Sequence, residues 1–219
     1  MQELTYAIGD VHGCADLLDA LLDRIEAHRA GRPRRLVFLG DYVDRGPDSA
    51  RVVGTVRSLQ AREPEDVVCL AGNHEAMLLD AWAGEDEALW LANGGRAALA
   101  SFGVTRAAHL PRDVTDWVEG LPSAHEDARR WYVHGGFRPG QPADASDRAT
   151  RLWMREPFLS ADYDFGKHVV HGHTPVRGTA PDVRRHRTNL DTGAVFGGAL
   201  TAGVFDDAQG PAMDFLQVR

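Results

Sequence analysis

Hydrophobic and polar positions in the first seventy residues alternate between short apolar runs and longer amphipathic stretches. The short runs predict buried strands over residues 4–8, 36–39 and 67–71. Between them, apolar residues recur at helical spacing from Leu17 to Ile25 and from Val52 to Leu59, which predicts two helices that each bury one face. The order strand, helix, strand, helix, strand is typical of a parallel sheet in an α/β fold.

The pattern changes after residue 75. Residues 76–121 contain short apolar helical segments interrupted by glycines, so we predict a helical insertion whose core includes Trp82, Trp90 and Trp117 rather than a platform for stacking substrate. Further apolar strands are predicted at 130–133, 168–170, 187–191, 199–205 and 212–218. Because helices become rare there, we expect antiparallel hairpins. The chain is predicted to be a single mixed α/β (α+β) domain over residues 1–219.

Chemically active side chains follow each of the first three predicted strands. The three segments are Gly9-Asp10-Val11-His12-Gly13, Gly40-Asp41-Tyr42-Val43-Asp44-Arg45-Gly46 and Gly72-Asn73-His74-Glu75. A loop that only turns uses Gly, Asn or Pro, and has no need of two carboxylates and a guanidinium in seven positions. Since ligands gather at the carboxyl ends of parallel strands, the three loops are expected to converge on a cation and a phosphate.

Two further histidines extend this set. His134 precedes Gly135-Gly136, and His173 lies in the run from His171 to Pro175. The candidate metal ligands are therefore Asp10, His12, Asp41, Asn73, His134 and His173. Three oxygen donors and three imidazoles suit two divalent first-row ions better than one. Asp41 is the natural bridge, because paired ions about 3.5–4 Å apart clamp the attacking and leaving oxygens of a displacement at phosphorus.

The order and spacing of these motifs, from residue 9 to residue 174, resemble the signature of the phosphoprotein phosphatase family of metallophosphoesterases. The small size and the segment Trp153-Met154-Arg155-Glu156-Pro157-Phe158 are similar to the bacterial and phage lambda-type branch. Some members of that branch act on phosphoserine and phosphothreonine, and others cleave symmetrical diadenosine tetraphosphate. The resemblance implies a calcineurin-like β-sandwich flanked by helices, in α/β/β/α order.

The resemblance also implies a role for each matching residue. Asp10, His12 and Asp41 would hold the first metal, and Asp41, Asn73, His134 and His173 would hold the second. His74 matches the general acid, Asp44 the carboxylate that orients it, Arg45 a phosphate-binding arginine, and Arg155, on a looser motif, a second one. General chemistry agrees, because arginine offers a planar fork to phosphoryl oxygens and histidine can protonate a leaving alkoxide near neutral pH.

These roles predict a metal-dependent phosphomonoesterase, with a serine/threonine protein phosphatase as the first choice. Hydrolysis would proceed by direct attack of a metal-bridging hydroxide, with His74 as general acid. One alternative is the same chemistry on diadenosine polyphosphates or another small phosphoester. The other is a non-catalytic metal-binding module, which is disfavoured because no expected ligand or acid is missing. Manganese is the favoured metal, and iron, zinc and cobalt remain open.

Composition narrows the choice of partners. The 219 residues carry a net charge of -8 and no long Lys/Arg run, which argues against binding nucleic acid through a basic face. Cys14 and Cys69 lie far apart, so we expect reduced cysteines in a cytoplasmic chain, with Cys14 in the core rather than acting as a nucleophile. No apolar run reaches the roughly 18 residues of a membrane span, and no signal pattern occurs. A monomer is plausible, and the oligomeric state stays open.

The remaining histidines and aromatics receive more ordinary interpretations. His171 is expected to support the site rather than bind a metal. Surface positions are expected for His28, His109, His125, His168 and His186. A nucleotide enzyme should expose aromatic platforms for two bases, whereas Trp90, Trp153, Tyr163 and Phe165 lie in apolar runs that favour burial.

Overall fold

The computed structural model describes residues 3–219 and contains two five-stranded sheets. The strands are β1 (Leu4–Ile8), β2 (Arg34–Phe38), β3 (Val67–Cys69), β4 (Ala124–Glu126), β5 (Arg130–Val133), β6 (His168–His171), β7 (Asp182–Val183), β8 (Arg187–Asn189), β9 (Leu200–Phe205) and β10 (Asp214–Val218). The first sheet has the order β10-β9-β1-β2-β3, and the second has the order β4-β5-β6-β8-β7. The predicted mixed α/β fold class is confirmed.

The three N-terminal strands form the parallel part of the first sheet, as their connecting helices require. β1 pairs with β2 from Leu4 opposite Arg34 to Ile8 opposite Phe38, and β2 continues the parallel order to β3. The hairpins expected after residue 130 are correct for β9 and β10. They are also correct for β7 and β8. They are wrong for the pairs β5–β6 and β6–β8, which run parallel because long crossovers separate these strands and let each return in the same direction.

The two sheets face each other through alternate strand residues. Ala7 and Val37 of the first sheet share a buried cluster with Tyr132 and Val170 of the second. The intervening residues of β1, such as Tyr6, point the other way into the larger core beneath the helices. This alternation brings the carboxyl ends of β1, β2, β5 and β6 together across the sandwich.

Seven α-helices complete the described chain. They are α1 (Ala15–Arg29), α2 (Ser49–Arg62), α3 (Asn73–Trp82), α4 (Glu87–Trp90), α5 (Arg96–Ser101), α6 (Arg112–Glu119) and α7 (Arg148–Trp153). Between α4 and α5, over Leu91–Gly95, the chain is kinked at Gly94, whose φ of 111° is not helical. Trp90 is fully buried, and Trp82 and Trp117 pack against the main core. None of the helices within residues 3–219 has the length and apolar character of a membrane span.

Candidate metal centre and acid site

The predicted ligands converge where five strands of the two sheets end. The Nδ1–H of His134, just after β5, donates to the carbonyl of Leu39, just after β2, at 3.0 Å. The backbone N–H of His173, after β6, donates to the carboxylate of Asp10, after β1, at 3.1 Å. All six side chains are buried: Asp10, His12, Asp41, Asn73, His134 and His173. The loops therefore meet at one end of the sandwich, as the sequence predicts.

Asp41 lies at the centre of this cluster. Its Oδ2 is 3.3 Å from Nε2 of His12 on one side and 3.3 Å from Nε2 of His134 on the other. It belongs to two groups with the spacing of metal ligands, one with His12 and His74 and the other with His134 and His173. Burial opposes its charge, but the surrounding histidines hold its pKa well below the usual range. A buried carboxylate shared by two groups is what a bridging ligand requires.

The environment of His134 shows that the cluster is suited to a cation. Its Nδ1–H is engaged with Leu39, so its Nε2 faces two oxygen acceptors, Oδ1 of Asn73 at 2.9 Å and Oδ2 of Asp41 at 3.3 Å. Although burial opposes the charged form, the carboxylate of Asp41 raises the pKa of His134 to about 10. Positive charge is therefore favoured at the point where these atoms converge, and a divalent ion fits that point as well as a proton does.

His173 supplies a second indication. Its Nδ1 lies 2.8 Å from Oδ1 of Asn73, whereas its buried Nε2 has no hydrogen-bond partner among residues 3–219. Burial, followed by the charge of His134, lowers the pKa of His173 to about 3, so its ring is neutral. A buried imidazole nitrogen without a partner is costly in apolar surroundings, but it is a suitable donor to a metal.

Asp10 is placed differently from the other predicted ligands. It belongs to neither group centred on Asp41, and both of its carboxylate oxygens accept the backbone N–H of His173. Gly172 lies directly against this carboxylate, and any side chain there would collide with it. Burial and then the neighbouring Asp191 raise the pKa of Asp10 well above its usual value. Its role as a ligand of the first metal remains a prediction.

His74 and Asp44 form a buried pair beside Asp41. The Nδ1–H of His74 donates to Oδ2 of Asp44 at 2.7 Å, and its backbone N–H donates to Oδ1 of Asp41 at 3.0 Å. Burial lowers the pKa of His74 to about 4. The indole Nε1–H of Trp90 also reaches Asp44, a contact that sequence reasoning missed because the two residues are 46 positions apart. The predicted acid and its orienting carboxylate therefore lie side by side.

The two candidate phosphate-binding arginines are positioned differently. Arg45 donates from Nη1 to Nε2 of His12 at 2.6 Å, and its guanidinium carbon lies 5.4 Å from the ring centre of Phe196. Arg155 is exposed, and its charge is among those that lower the pKa of His173, after burial and His134. Arg45 is also exposed, but it contacts the buried cluster directly through His12, whereas Arg155 lies near His173.

The loops that carry the candidate site residues also have unusual backbone conformations. Seven non-glycine residues of the described chain have positive φ, and five of them are candidate site residues. Those five are His12 (44°), Asp41 (54°), Asp44 (74°), Arg45 (66°) and His173 (69°). Left-handed backbone at non-glycine residues costs free energy and concentrates at functional sites, where the surrounding structure enforces it.

Glu75 is a second residue whose importance the sequence did not reveal. It is fully buried, and its carboxylate accepts the backbone N–H groups of Gly72, Asp41 and Tyr42, each at 2.8 Å. A weaker contact to the N–H of Val43 at 3.3 Å completes the set. The only signal in the sequence was its position at the end of the motif Gly72-Asn73-His74-Glu75. Its burial explains the role, because a buried carboxylate needs hydrogen-bond partners.

Several aromatic and imidazole positions correct the sequence-based expectations. Trp153 is 46% exposed, because the preceding Leu152 fills the core at the end of α7 and the next side chain points away. Its ring lies 6.2 Å from that of His173, and Phe196 is 64% exposed near Arg45. His168 is buried rather than on the surface, since it begins β6.

The positions of Cys14 and His171 bear on two other expectations. Cys14 is half-buried rather than a core residue, and its thiol lies 3.6 Å from the carbonyl of His12. His171 is fully buried, its Nδ1–H donates to the carbonyl of Gly172 at 3.2 Å, and its Nε2 is 3.4 Å from Nη1 of Arg187. Both ring nitrogens of His171 face protein atoms, and its supporting role stays a prediction.

The comparisons with known proteins agree with this geometry. A family model described as calcineurin-like phosphoesterase matches residues 5–198. Serine/threonine-protein phosphatase 1 of Salmonella typhimurium is 31% identical over 205 residues, which is 90% of this chain and 89% of that protein. The asymmetrical bis(5'-nucleosyl)-tetraphosphatase PrpE of Oceanobacillus iheyensis is 28% identical over 238 residues, 96% of this chain and 90% of that protein.

Solved structures give the same match in three dimensions. A crystal structure of a candidate diadenosine tetraphosphatase superposes with a TM-score of 0.73 at 26% identity, covering 98% of this chain and 92% of that one. A cold-active protein tyrosine phosphatase of a psychrophilic Shewanella species has a TM-score of 0.67 at 17% identity, covering 100% of this chain and 81% of that one. The second match supports the fold alone.

Proposed function

The chain belongs to the calcineurin-like phosphoesterases, hydrolases that act on phosphoester bonds, and from this premise we propose that it is a metal-dependent phosphomonoesterase acting on phosphoserine and phosphothreonine. The observation that carries the proposal is the position of Asp41, shared by two histidine-containing groups and adjacent to the pair His74–Asp44. The relative named as a serine/threonine phosphatase supports the substrate class. The resemblance to metallophosphoesterases noted in the sequence is confirmed.

The cluster has a donor set that fits two divalent ions, with manganese as the proposed metal. The residues proposed to hold them are Asp10, His12 and Asp41 for one and Asp41, Asn73, His134 and His173 for the other. When bound, the ions supply charge neutralisation of the phosphoryl oxygens and activation of water near neutral pH. The unpartnered Nε2 of His173 and the convergent oxygens around His134 are the local reasons for this assignment.

Arg45 is proposed to bind the phosphoryl group. Its Nη1 now donates to Nε2 of His12, the atom that is proposed to bind a metal. A metal at that nitrogen would remove the acceptor and leave the guanidinium free to form a planar, bidentate contact with phosphate oxygens. Arg155, exposed on the side of His173, is proposed as a second contact to the same group.

His74 is proposed to protonate the leaving alkoxide. Asp44 engages its Nδ1–H, so Nε2 is the ring atom available to deliver a proton. Burial lowers the pKa of His74 to about 4, and the ring is neutral in the free site. A phosphate dianion bound beside the ring adds negative charge, which favours the protonated form during turnover.

A second candidate function is the hydrolysis of a dinucleoside polyphosphate. It is favoured by the exposure of Trp153 near His173 and of Phe196 near Arg45, which puts one aromatic side chain beside each group of ligands. Two such surfaces are what a substrate with two bases would use. The tetraphosphatase relatives named above have lower sequence identity than the protein phosphatase.

The two candidates are separated by measuring kcat/KM side by side on a phosphothreonine peptide and on diadenosine tetraphosphate, with the manganese-loaded protein. We expect the peptide to be the better substrate. A preference for the dinucleotide of more than about tenfold, equivalent to about 1.4 kcal/mol in transition-state binding, would replace the first candidate by the second. No activity on either substrate would contradict both.

A further inference from the structure

The helical insertion contributes one polar atom to the acid site, the indole nitrogen of Trp90. We propose that Trp90 is a positioning residue for protonation of the leaving group, which fixes Asp44 and, through Asp44, the ring of His74. The inference rests on the proposed function, in which His74 is the general acid. It assigns the insertion a part in the reaction, beyond covering one side of the fold.

The hydrogen bonds of Asp44 carry the proposal. The Nε1–H of Trp90 is shared between both carboxylate oxygens, 3.0 Å from Oδ1 and 2.9 Å from Oδ2. Oδ2 also accepts the Nδ1–H of His74 at 2.7 Å. Within residues 3–219, no other group donates to this carboxylate, and Asp44, Trp90 and His74 are each no more than 1% exposed. The indole therefore fixes the plane of the carboxylate that orients the imidazole.

The insertion is shaped to place the indole there. A Cβ atom on Gly95 would lie 2.5 Å from Cδ2 of Trp90, so only glycine leaves room for the ring. The carbonyl of Gly94 accepts the backbone N–H of Arg45 at 3.2 Å, and a Cβ on Gly94 would lie 2.7 Å from that same nitrogen. The run Asn93-Gly94-Gly95, which reads in sequence as a helix breaker, is thus the surface that docks on the loop of Asp44 and Arg45.

Loss of the indole N–H should affect one chemical step more than others. A carboxylate with one donor instead of two can rotate, and the imidazole that it orients would spend less time aligned with the leaving oxygen. A peptide phosphothreonine leaves as an alkoxide and needs a proton, whereas p-nitrophenolate leaves without one. The expected defect is therefore selective for poor leaving groups.

The experiment compares Trp90→Phe with the unaltered enzyme on both substrates. We expect kcat for a phosphothreonine peptide to fall by roughly 10- to 100-fold, and kcat for p-nitrophenyl phosphate to fall by less than about threefold. Trp117→Phe is the matched control, because its indole, in the same insertion, donates to Gln60 at 2.8 Å and not to Asp44. That control should change neither rate selectively.

A second replacement guards against a packing defect, since Trp90 is fully buried. Exchange of Trp90 for 3-benzothienylalanine keeps the shape of the ring and removes only the N–H, and it should reproduce the selective loss. Equal losses on both substrates, or none, with this residue would overturn the inference even if Trp90→Phe does not fold.

His74→Asn separates this inference from the function on which it rests. If His74→Asn lowers peptide turnover far more than p-nitrophenyl phosphate turnover while the benzothienylalanine enzyme does not, only the role of Trp90 is wrong. If His74→Asn lowers both rates equally, the acid role of His74 fails and the inference fails with it.

Discussion

The carboxylate of Glu75 accepts the backbone N–H of Asp41 at 2.8 Å, which ties the loop that follows β2 to the start of α3. Glu75→Gln would turn one acceptor oxygen into an NH₂ group facing backbone N–H donors. We expect the folded state to lose about 1–3 kcal/mol of stability and affinity for manganese to fall at least about tenfold, because the loop would no longer hold Asp41 in its left-handed conformation. Thermal unfolding and metal titration of the same variant measure both effects.

Glu87→Gln is the control for this change. Glu87 also accepts a backbone N–H, from Ala107 at 2.9 Å, but it lies in the insertion and is only partly buried. Its substitution should leave metal affinity unaltered. Unchanged metal affinity and turnover in Glu75→Gln would show that the loop keeps its shape without that carboxylate.

The sequence predicts features that depend on local patterns and misses contacts between residues that are far apart along the chain. Asp10, Asp41 and Asn73 were expected to lie near one another because parallel strand ends meet at one edge of a sheet, and the structure places all three side chains in the buried cluster. The contact between Trp90 and Asp44 depends on how a helical insertion folds back over 46 positions, and no local pattern encodes it.

Burial of individual side chains shows the same limit. The apolar run around Trp153 favours burial, but the one-residue step from Leu152 at the end of α7 puts the indole in solvent. The edge strands β4 and β7, three and two residues long, carry too little alternation to be recognised. Features fixed by tertiary packing therefore escaped prediction, whereas features fixed by periodicity did not.

The dinuclear assignment predicts two metal ions per chain. Elemental analysis after loading with manganese should give a stoichiometry of two, and removal by a chelator should abolish turnover. Because metals bind the folded state, an ion at a hundred times its dissociation constant should add about 2.7 kcal/mol of stability, seen as a higher Tm.

Asp41→Asn should lower the manganese stoichiometry to one or less, since both groups share this carboxylate. Asp16→Asn, an exposed aspartate paired with Arg51, is the control and should retain both ions. A stoichiometry at or below one in the unaltered protein, with activity that survives chelation, would refute the two-metal scheme.

The burial of His168 should make the folded state less stable at acidic pH. It is buried with Nε2 2.8 Å from Oγ1 of Thr188, and burial, followed by the charges of Arg130 and His186, lowers its pKa to about 4. The unfolded chain takes up the proton near pH 6.5, before the folded chain does, so stability falls as pH drops from about 6.5 towards 4. His168→Gln should reduce this fall by about 2 kcal/mol at pH 5.

Denaturant unfolding at pH 7.5 and pH 5 of the variant and the unaltered protein measures that difference. His109→Gln, at an exposed position, is the matched control for the loss of an imidazole. The same slope in all three proteins would contradict the prediction, because the other buried histidines would then account for the whole acid sensitivity.

The exposed aromatics Trp153 and Phe196 offer a test of how the site recognises its substrate. If they stack on bases, Trp153→Ala should lower kcat/KM for diadenosine tetraphosphate by roughly 5- to 150-fold, the effect of about 1–3 kcal/mol of stacking, and spare a phosphothreonine peptide without aromatic residues. Phe196→Ala should add a small loss on both substrates, since Phe196 also contacts Arg45. Met213→Ala, at another exposed apolar position, is the control. Equal effects of Trp153→Ala on both substrates would exclude base stacking and leave the phosphoprotein as the substrate that this rim accommodates.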